Sequence, residues 1–547
     1  MAALGSVMSN AACAVVVLLL GASLLWLPRA YLRAWRLWSA ERDGFRWVVG
    51  GAVVGGAALR LLVAPLWIAT VYIGYLLTEQ ALDLAGGSHY GVGSQALYHA
   101  LFAFLPHDHR SLMWVNSVVG VLTLPLTATV ALRWLGDRRA ASIAAVLVAV
   151  VPLFIRNDNS DANNVPCLWW LLGGLVLWEE YLAEGRRLPM IGALGLLALA
   201  TAARPEMLLL APLLVALATA GLESRGRVAR DRALWGALAA AAVLLVPHAL
   251  HVALAVDTLG ERGSLPGLSL SRFVDLPAAM VTMNAVLRPA LYPVALTALA
   301  ALALARPDAG SRRARLALAL MAAVACAAYQ VDLCRANLAR VHVPAALFAT
   351  ILAADGLAWV WARFRSTRVL LCAAVAGAAI PTALVLWRPT NEQTEERFLR
   401  RALGELPTSR HTLIRQGRVD RGGDAGSAAS THDHFPDYLV RPPVGRATMA
   451  TVRDWVDHPD YGAPAFFYQG MRCYAAFQAG AGRPRGDNLQ PACARMRRDF
   501  RLDPVLEEEV VNHGNVWLDY YGDAPTLRLG LYRVLPRPPG PGEGRPP

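Results

Sequence analysis

Glu79 and Asp83 stand four residues apart in a stretch with helical spacing, which puts both carboxylates on one helix face. Such a pair can supply a general base or part of a metal site, and the alternative is a solvated polar face. A second acidic pair, Asp158 and Asp161, lies in RNDNSDANNVP at the edge of an apolar run. Turn chemistry also favours Asp and Asn there, and Asp161 is slightly favoured over Asp158 as the functional group. Arg204 interrupts two apolar runs, and an arginine near membrane depth is costly unless it snorkels or meets an anion. Asp332, Arg335, Arg340 and His342 gather before another apolar run. His107-Asp108-His109 and His432-Asp433-His434 carry an alternate spacing that does not converge on one helix face, so loop polarity explains them better than metal binding. The 52 basic residues are all Arg, which excludes lysine chemistry.

These groups need elements to hold them, and the composition names the solvent. A chain of 547 residues with 56% hydrophobic content, 17% charged residues and a mean hydropathy of +0.38 is too apolar for water alone. Apolar runs near the length of a membrane helix fall at about 8 to 27, 47 to 66, 111 to 132, 140 to 156, 166 to 183, 188 to 203, 205 to 221, 233 to 253, 287 to 305, 315 to 331, 342 to 362 and 369 to 387. The expected fold class is therefore an α-helical polytopic membrane protein of about 12 spans, with a small C-terminal α/β extracytoplasmic domain. The first run lacks a basic leader and a small-residue cleavage motif, so it reads as a retained helix rather than a signal peptide.

Charge sets the orientation. The net +12 would suggest nucleic acid in a soluble protein, but from Arg388 onward 22 Arg face 20 Asp and Glu. The excess lies in short loops of the membrane half, such as Arg29 to Arg46, Arg138-Arg139, Arg186-Arg187 and Arg225 to Arg232. This is the positive-inside pattern, which places those loops in the cytoplasm and the N-terminus and everything after Arg388 outside. No nucleic-acid partner is expected. The lysine-free, Arg-, Ala- and Gly-rich composition points to a GC-rich bacterial genome and hence to the inner (plasma) membrane.

The long outer segment 67 to 110 shows apolar residues at helical spacing in two stretches, broken at Gly86-Gly87 and Gly91 to Gly93. Two amphipathic helices lying along the membrane surface fit it. With Arg60 in the preceding helix, the Tyr90 to Gly93 turn, VNSVVGVLTLPLTATVALRWLGDRRAASIAAVLVAVVPLF, GLLALATAARPEMLLLAPLLV and RVHVPAALFATILAADGL, the chain resembles the GT-C glycosyltransferases over about residues 47 to 387. It is most similar to the branch holding protein O-mannosyltransferases and lipid A aminoarabinose transferases.

That resemblance implies transfer of a sugar from a polyprenyl-phosphate carrier to an envelope lipid, glycan or protein acceptor on the outer membrane face. A carboxylate would serve as general base and arginines would stabilise the departing phosphate. It implies catalytic roles for Glu79, Asp83 and Asp161, and donor-phosphate contacts for Arg204, Arg335, Arg340 and His342. A divalent metal ion on Asp158 and Asp161 is a further expectation. The early acid that the family carries in its first outer loop is replaced here by Tyr72-Ile73-Gly74-Tyr75. Two other classes stay open: a non-catalytic lipid-glycan binding protein of the same fold, and a secondary transporter.

The expected domains are an extra N-terminal helix with its basic loop (1 to 46), the GT-C-like membrane domain (47 to 387), a soluble domain (388 to 535) and a disordered Pro/Gly-rich tail (536 to 547). Within the soluble domain, 391 to 417 opens as a charged helix, 418 to 430 reads as a flexible loop, and 465 to 468, 516 to 518 and 527 to 534 read as strands. The outer topology places Cys473 and Cys493 in an oxidising compartment, and a disulfide between them is expected.

Overall fold

The computed structural model describes residues 2–41, 44–67, 73–84, 91–204, 207–222, 227–258, 292–306, 311–333, 342–363, 391–416, 447–474, 489, 491–511 and 526–536. The chain divides into two compact units, Met1–Ala69 with Leu77–Trp387 and Thr70–Leu76 with Arg388–Pro547.

The first unit is helical. It comprises α1 (Ala2–Ala40), α2 (Phe45–Ala58), a π-helical turn (Leu59–Val63), α3 (Ile73–Leu82) from Leu77 onward, α4 (Gly93–Phe102), α5 (His109–Leu135), α6 (Arg138–Val150), α7 (Pro152–Asp158), α8 (Asn164–Glu184), α9 (Arg187–Ala203), α10 (Met207–Leu222), α11 (Arg227–Arg230), α12 (Arg232–Thr258), α13 (Val294–Ala305), α14 (Arg312–Leu333) and α15 (Val343–Arg363). Helices occupy the first eleven expected spans; the twelfth, 369 to 387, lies outside the described residues. By length and composition, five helices of the described residues can each cross a membrane, and a sixth span results if α6 and α7 count as one. Leu24, Leu25 and Leu62 leave 73, 76 and 83% of their surface exposed, a display that lipid solvates and water penalises. The chain is a multi-pass membrane protein.

Two expected spans need correction. The run 140 to 156 is not one helix, because the chain bends by 58° between α6 and α7. Pro152 lacks an N–H and disfavours helical geometry at the residue before it, so Val151 is extended (φ −67°, ψ 126°) and Pro152 starts a new helix. The first helix does not end near residue 27 but continues to Ala40. Arg29 and Arg33, expected in a loop, therefore lie on α1, one turn apart. They pair with Glu180 and Glu184 of α8, each at 2.7 Å, while Arg133 of α5 holds Glu179 at 2.6 Å.

The second unit has α16 (Asn391–Gly404), β1 (His411–Arg415), β2 (Ala447–Thr451), α17 (Val452–Asp457), β3 (Ala465–Gln469), α18 (Pro491–Asp499), β4 (Phe500–Val511) and β5 (Thr526–Pro536). Its sheet runs β2-β1-β3-β5-β4, with β1 parallel to β2 and β3, and β5 antiparallel to β3 and β4. Ile414, Trp455, Phe467, Met496 and Val534 form the core on one face of the sheet together with Cys473 and Cys493. Those two cysteines are disulfide-bonded, with their Cα atoms 5.6 Å apart. The expected loop 418 to 430, strand 516 to 518 and all but the first residue of the tail 536 to 547 lie outside the described residues.

Candidate active site

The break at Pro152 creates the site's framework. In an unbroken helix the carbonyl of Val148 would accept from residue 152, and proline has no N–H to give. Arg60 takes over that role: its Nη2 donates to Val148 O at 3.0 Å and its Nη1 to Ala149 O at 2.9 Å. The π-helical turn that carries Arg60 inserts one residue into the helical winding. Arg60 Nε then donates to Asp158 Oδ2 at 2.8 Å, and both residues are buried. Gly120 of α5 makes room for Asp158, since a Cβ there would stand 2.4 Å from the Asp158 side chain.

The Asp158 carboxyl is thus tied to the Arg60 guanidinium. A divalent cation there would have to displace the Arg60 guanidinium. Among the described residues no group of three or more His, Cys, Asp or Glu could hold a metal ion. His107 and His109 accordingly have other partners, the Phe102 carbonyl and Asp108.

After α7 the chain forms a short non-helical segment, Asn159 to Asn163, whose residues are all buried. Non-helical backbone at this depth requires protein groups to satisfy it. Asn159 Nδ2 donates to the Arg60 carbonyl at 2.7 Å, and Trp67 N donates to Asn159 O at 2.9 Å. Asn116 of α5 donates to the carbonyls of Ser160 (2.7 Å) and Ala162 (3.0 Å), and accepts from the Tyr98 hydroxyl at 2.9 Å. Ser94 of α4 donates to Asn163 O at 2.9 Å, and Arg204 Nη1 to Asn163 Oδ1 at 2.9 Å. Asp161, in the middle of this segment, is fully buried. Burial holds the Tyr98 hydroxyl protonated far above its ordinary range, and the negative charge of Asp161 pushes it further the same way. Arg156 lies over the Trp67 ring at 5.1 Å, closing one side of the segment.

The outer-segment helices are present as α3 and α4. Leu77, Thr78 and Ala81 are buried on α3, as are Ser94, Gln95, Tyr98 and Phe102 on α4. Gly91 has φ +84°, and a Cβ there would lie 2.3 Å from the Ala202 carbonyl; one at Gly93 would lie 2.6 Å from Ala203 N. Two glycines therefore let the start of α4 dock against the end of α9, immediately before Arg204.

The acidic pair of this segment departs from expectation. Helix α3 ends at Leu82, so Asp83 follows the helix instead of sharing a face with Glu79, and it is exposed. Glu79 lies on α3, but its side chain falls outside the described residues. His342 is buried just before α15, whereas Arg335 and Arg340 lie outside the described residues. The structure thus gathers Asp158, Asp161 and Arg204 into one hydrogen-bonded region. Tyr98, Asn116 and Asn163 are members that the sequence reading did not select; a buried amide within an apolar run, as at Asn116, is the signal that could have found one of them.

No family model matches the sequence, and no curated protein matches it. The architecture is similar to ArnT from Cupriavidus metallidurans, solved bound to undecaprenyl phosphate, with a TM-score of 0.51 at 13% identity over 90% of this chain and 98% of that one. The oligosaccharyltransferase of Archaeoglobus fulgidus in complex with Zn and sulfate gives 0.51 at 14% identity, over 90% of this chain and 75% of that one. The chain shares the fold of these two proteins. Against Archaeoglobus fulgidus AglB, solved with an inhibitory peptide and a dolichol-phosphate, the chain spans 62% of that protein's length and that protein covers 68% of this chain (TM-score 0.44, 14% identity).

Proposed function

We propose that this chain is a membrane glycosyltransferase that moves a sugar from a polyprenyl-phosphate donor to an envelope lipid, glycan or protein acceptor on the outer membrane face. The observation that carries the reading is the buried segment Asn159 to Asn163. It buries one carboxylate, Asp161, in a segment that Ser94, Asn116 and Arg204 hold through hydrogen bonds to its other residues. In this reading Asp161 accepts the proton of the acceptor hydroxyl as the new anomeric bond forms. Arg204 stabilises the phosphate as the carrier leaves, and Arg335, Arg340 and His342 are the further phosphate contacts of this reading. Asp158 positions Arg60. Glu79 and Asp83 are the alternative bases.

The Tyr72-Ile73-Gly74-Tyr75 stretch, in place of an early acid, favours a second reading as a non-catalytic binder of a lipid-linked glycan. Variants Glu79→Gln, Asp83→Asn and Asp161→Asn separate the two. Loss of transfer in folded Asp161→Asn protein supports the enzyme and its base. Unchanged transfer in all three sinks the assignment of the base. Donor binding by the wild type without transfer, over a broad panel of carrier-linked sugars, supports the binder.

A further inference from the structure

The soluble unit contains a polar cavity of about 160 Å³ that the transferase reading does not use. Gln469 at the end of β3, Tyr474, Arg497 of α18, Glu509 of β4, and Thr526 and Arg528 of β5 line it. Its walls are ordered by their own bonds. Arg497 Nε donates to Gln469 Oε1 at 2.7 Å, Arg497 Nη2 donates to Tyr532 Oη at 2.8 Å, and Gln469 Nε2 donates to the Arg528 carbonyl at 3.0 Å. The Arg528 N–H donates to Tyr474 Oη at 2.8 Å, and Thr526 Oγ1 donates to Glu509 Oε1. The Arg528 guanidinium, by contrast, is exposed and makes no hydrogen bond or ion pair among the described residues.

The disulfide frames this cavity. Cys473 directly precedes Tyr474, and Cys493 lies one helical turn before Arg497 on α18. The Tyr474–Leu489 bridge closes the same loop from its other side. One covalent link thus fixes the tyrosine wall against the arginine wall, and preorganised polar walls lower the ordering cost of binding a small ligand.

We infer that this cavity binds a single anionic sugar unit, a ring carrying a carboxylate or a phosphate. The exposed Arg528 guanidinium matches the planar oxygens of such an anion, and Arg497, whose Nε and Nη2 are engaged in the wall, adds its Nη1. Glu509, Thr526 and Gln469 supply the mixed donors and acceptors that ring hydroxyls require. The volume falls below the ~300–1,000 Å³ of drug-sized sites and suits one ring rather than a chain. The inference stands apart from the transfer reaction and does not depend on it.

Saturation-transfer NMR on the purified full-length protein in detergent, with glucuronate, glucose 6-phosphate and glucose as separate probes and inorganic phosphate as a competitor of glucose 6-phosphate, tests it. The expected result is saturation of the two charged sugars and at least fivefold weaker signal from glucose. The exposed Arg528→Gln variant should weaken the charged sugars at least fivefold, and so should the Cys473→Ser/Cys493→Ser double variant. Glucose equal to the charged sugars, full displacement of glucose 6-phosphate by an equimolar amount of inorganic phosphate, or Arg528→Gln binding as the wild type does would each overturn it. A response to only one charged sugar would identify the anion as carboxylate or phosphate.

Discussion

Asp158 and Asp161 are three residues apart and both are buried, yet the proposed reading assigns the chemistry to Asp161 alone. Asp158 meets a guanidinium from 98 residues earlier, a contact that no local spacing announces. Arg60 was legible only as part of a family resemblance, and its duties toward Val148 and Ala149 became visible once the break at Pro152 was placed. Removing one partner of a buried ion pair leaves an uncompensated charge, at a cost of about 3–5 kcal/mol. Arg60→Met should therefore destabilise the protein by that amount in denaturant titrations in mixed micelles; a loss under 1 kcal/mol would contradict a structural role. Asp161→Asn is isosteric and should leave the unfolding midpoint nearly unchanged while lowering transfer by ~10²–10⁴-fold, the span typical of a general base. At the soluble end of α12, the Tyr181 hydroxyl donates to Asp231 at 2.6 Å and holds its carboxyl below the ordinary range. A depressed folded-state pKa stabilises above the ordinary carboxylate range and ceases to do so as pH falls through the folded value. The stability difference between wild type and Tyr181→Phe should accordingly vanish on acidification; a difference independent of pH would rule out this linkage.

Among the elements, the long apolar helices were the most legible, because hydrocarbon leaves the backbone few alternatives. Their ends were less so. The extension of α1 to Ala40 was masked by Arg29 and Arg33, which read as loop charges until Glu180 and Glu184, with the same four-residue spacing, were seen opposite them. The two outer helices were visible in the periodicity of 67 to 110, but the stop at Leu82 was not, and it separates Asp83 from Glu79. Docking of α4 rests on glycine. Gly91→Ala imposes a side chain at φ +84° within 2.3 Å of a carbonyl, and should destabilise by at least ~1 kcal/mol while reducing transfer more than binding of the donor. Retention of full stability and activity would show that α4 does not need this approach. In the soluble unit, the disulfide closes a separation of 20 residues, so its removal should cost about 3 kcal/mol in the chain-entropy account. Reduction followed by proteolysis of the full-length protein would read this out as faster cleavage beyond residue 391.

For the whole molecule, composition set the solvent and charge distribution set the expected orientation. The topology argument predicts that alkaline phosphatase fused after residue 535 is active and that a fusion in the Arg138-Arg139 loop is not. The reverse pattern would invert the orientation and remove the case for an external acceptor. The fold was recognisable in the order of its membrane segments, while the chemistry was less so, since the groups holding the Asp161 segment are drawn from α4, α5, α7 and α9. The most direct test is single-turnover transfer in nanodiscs, with radiolabelled polyprenyl-phosphate sugars as donors and envelope extract as acceptor, comparing wild type with Asp161→Asn. The account predicts that label leaves the carrier for a new product with the wild type and falls at least a hundredfold in the folded variant. Equal transfer by both proteins, or none by folded wild type across the donor panel, would contradict it.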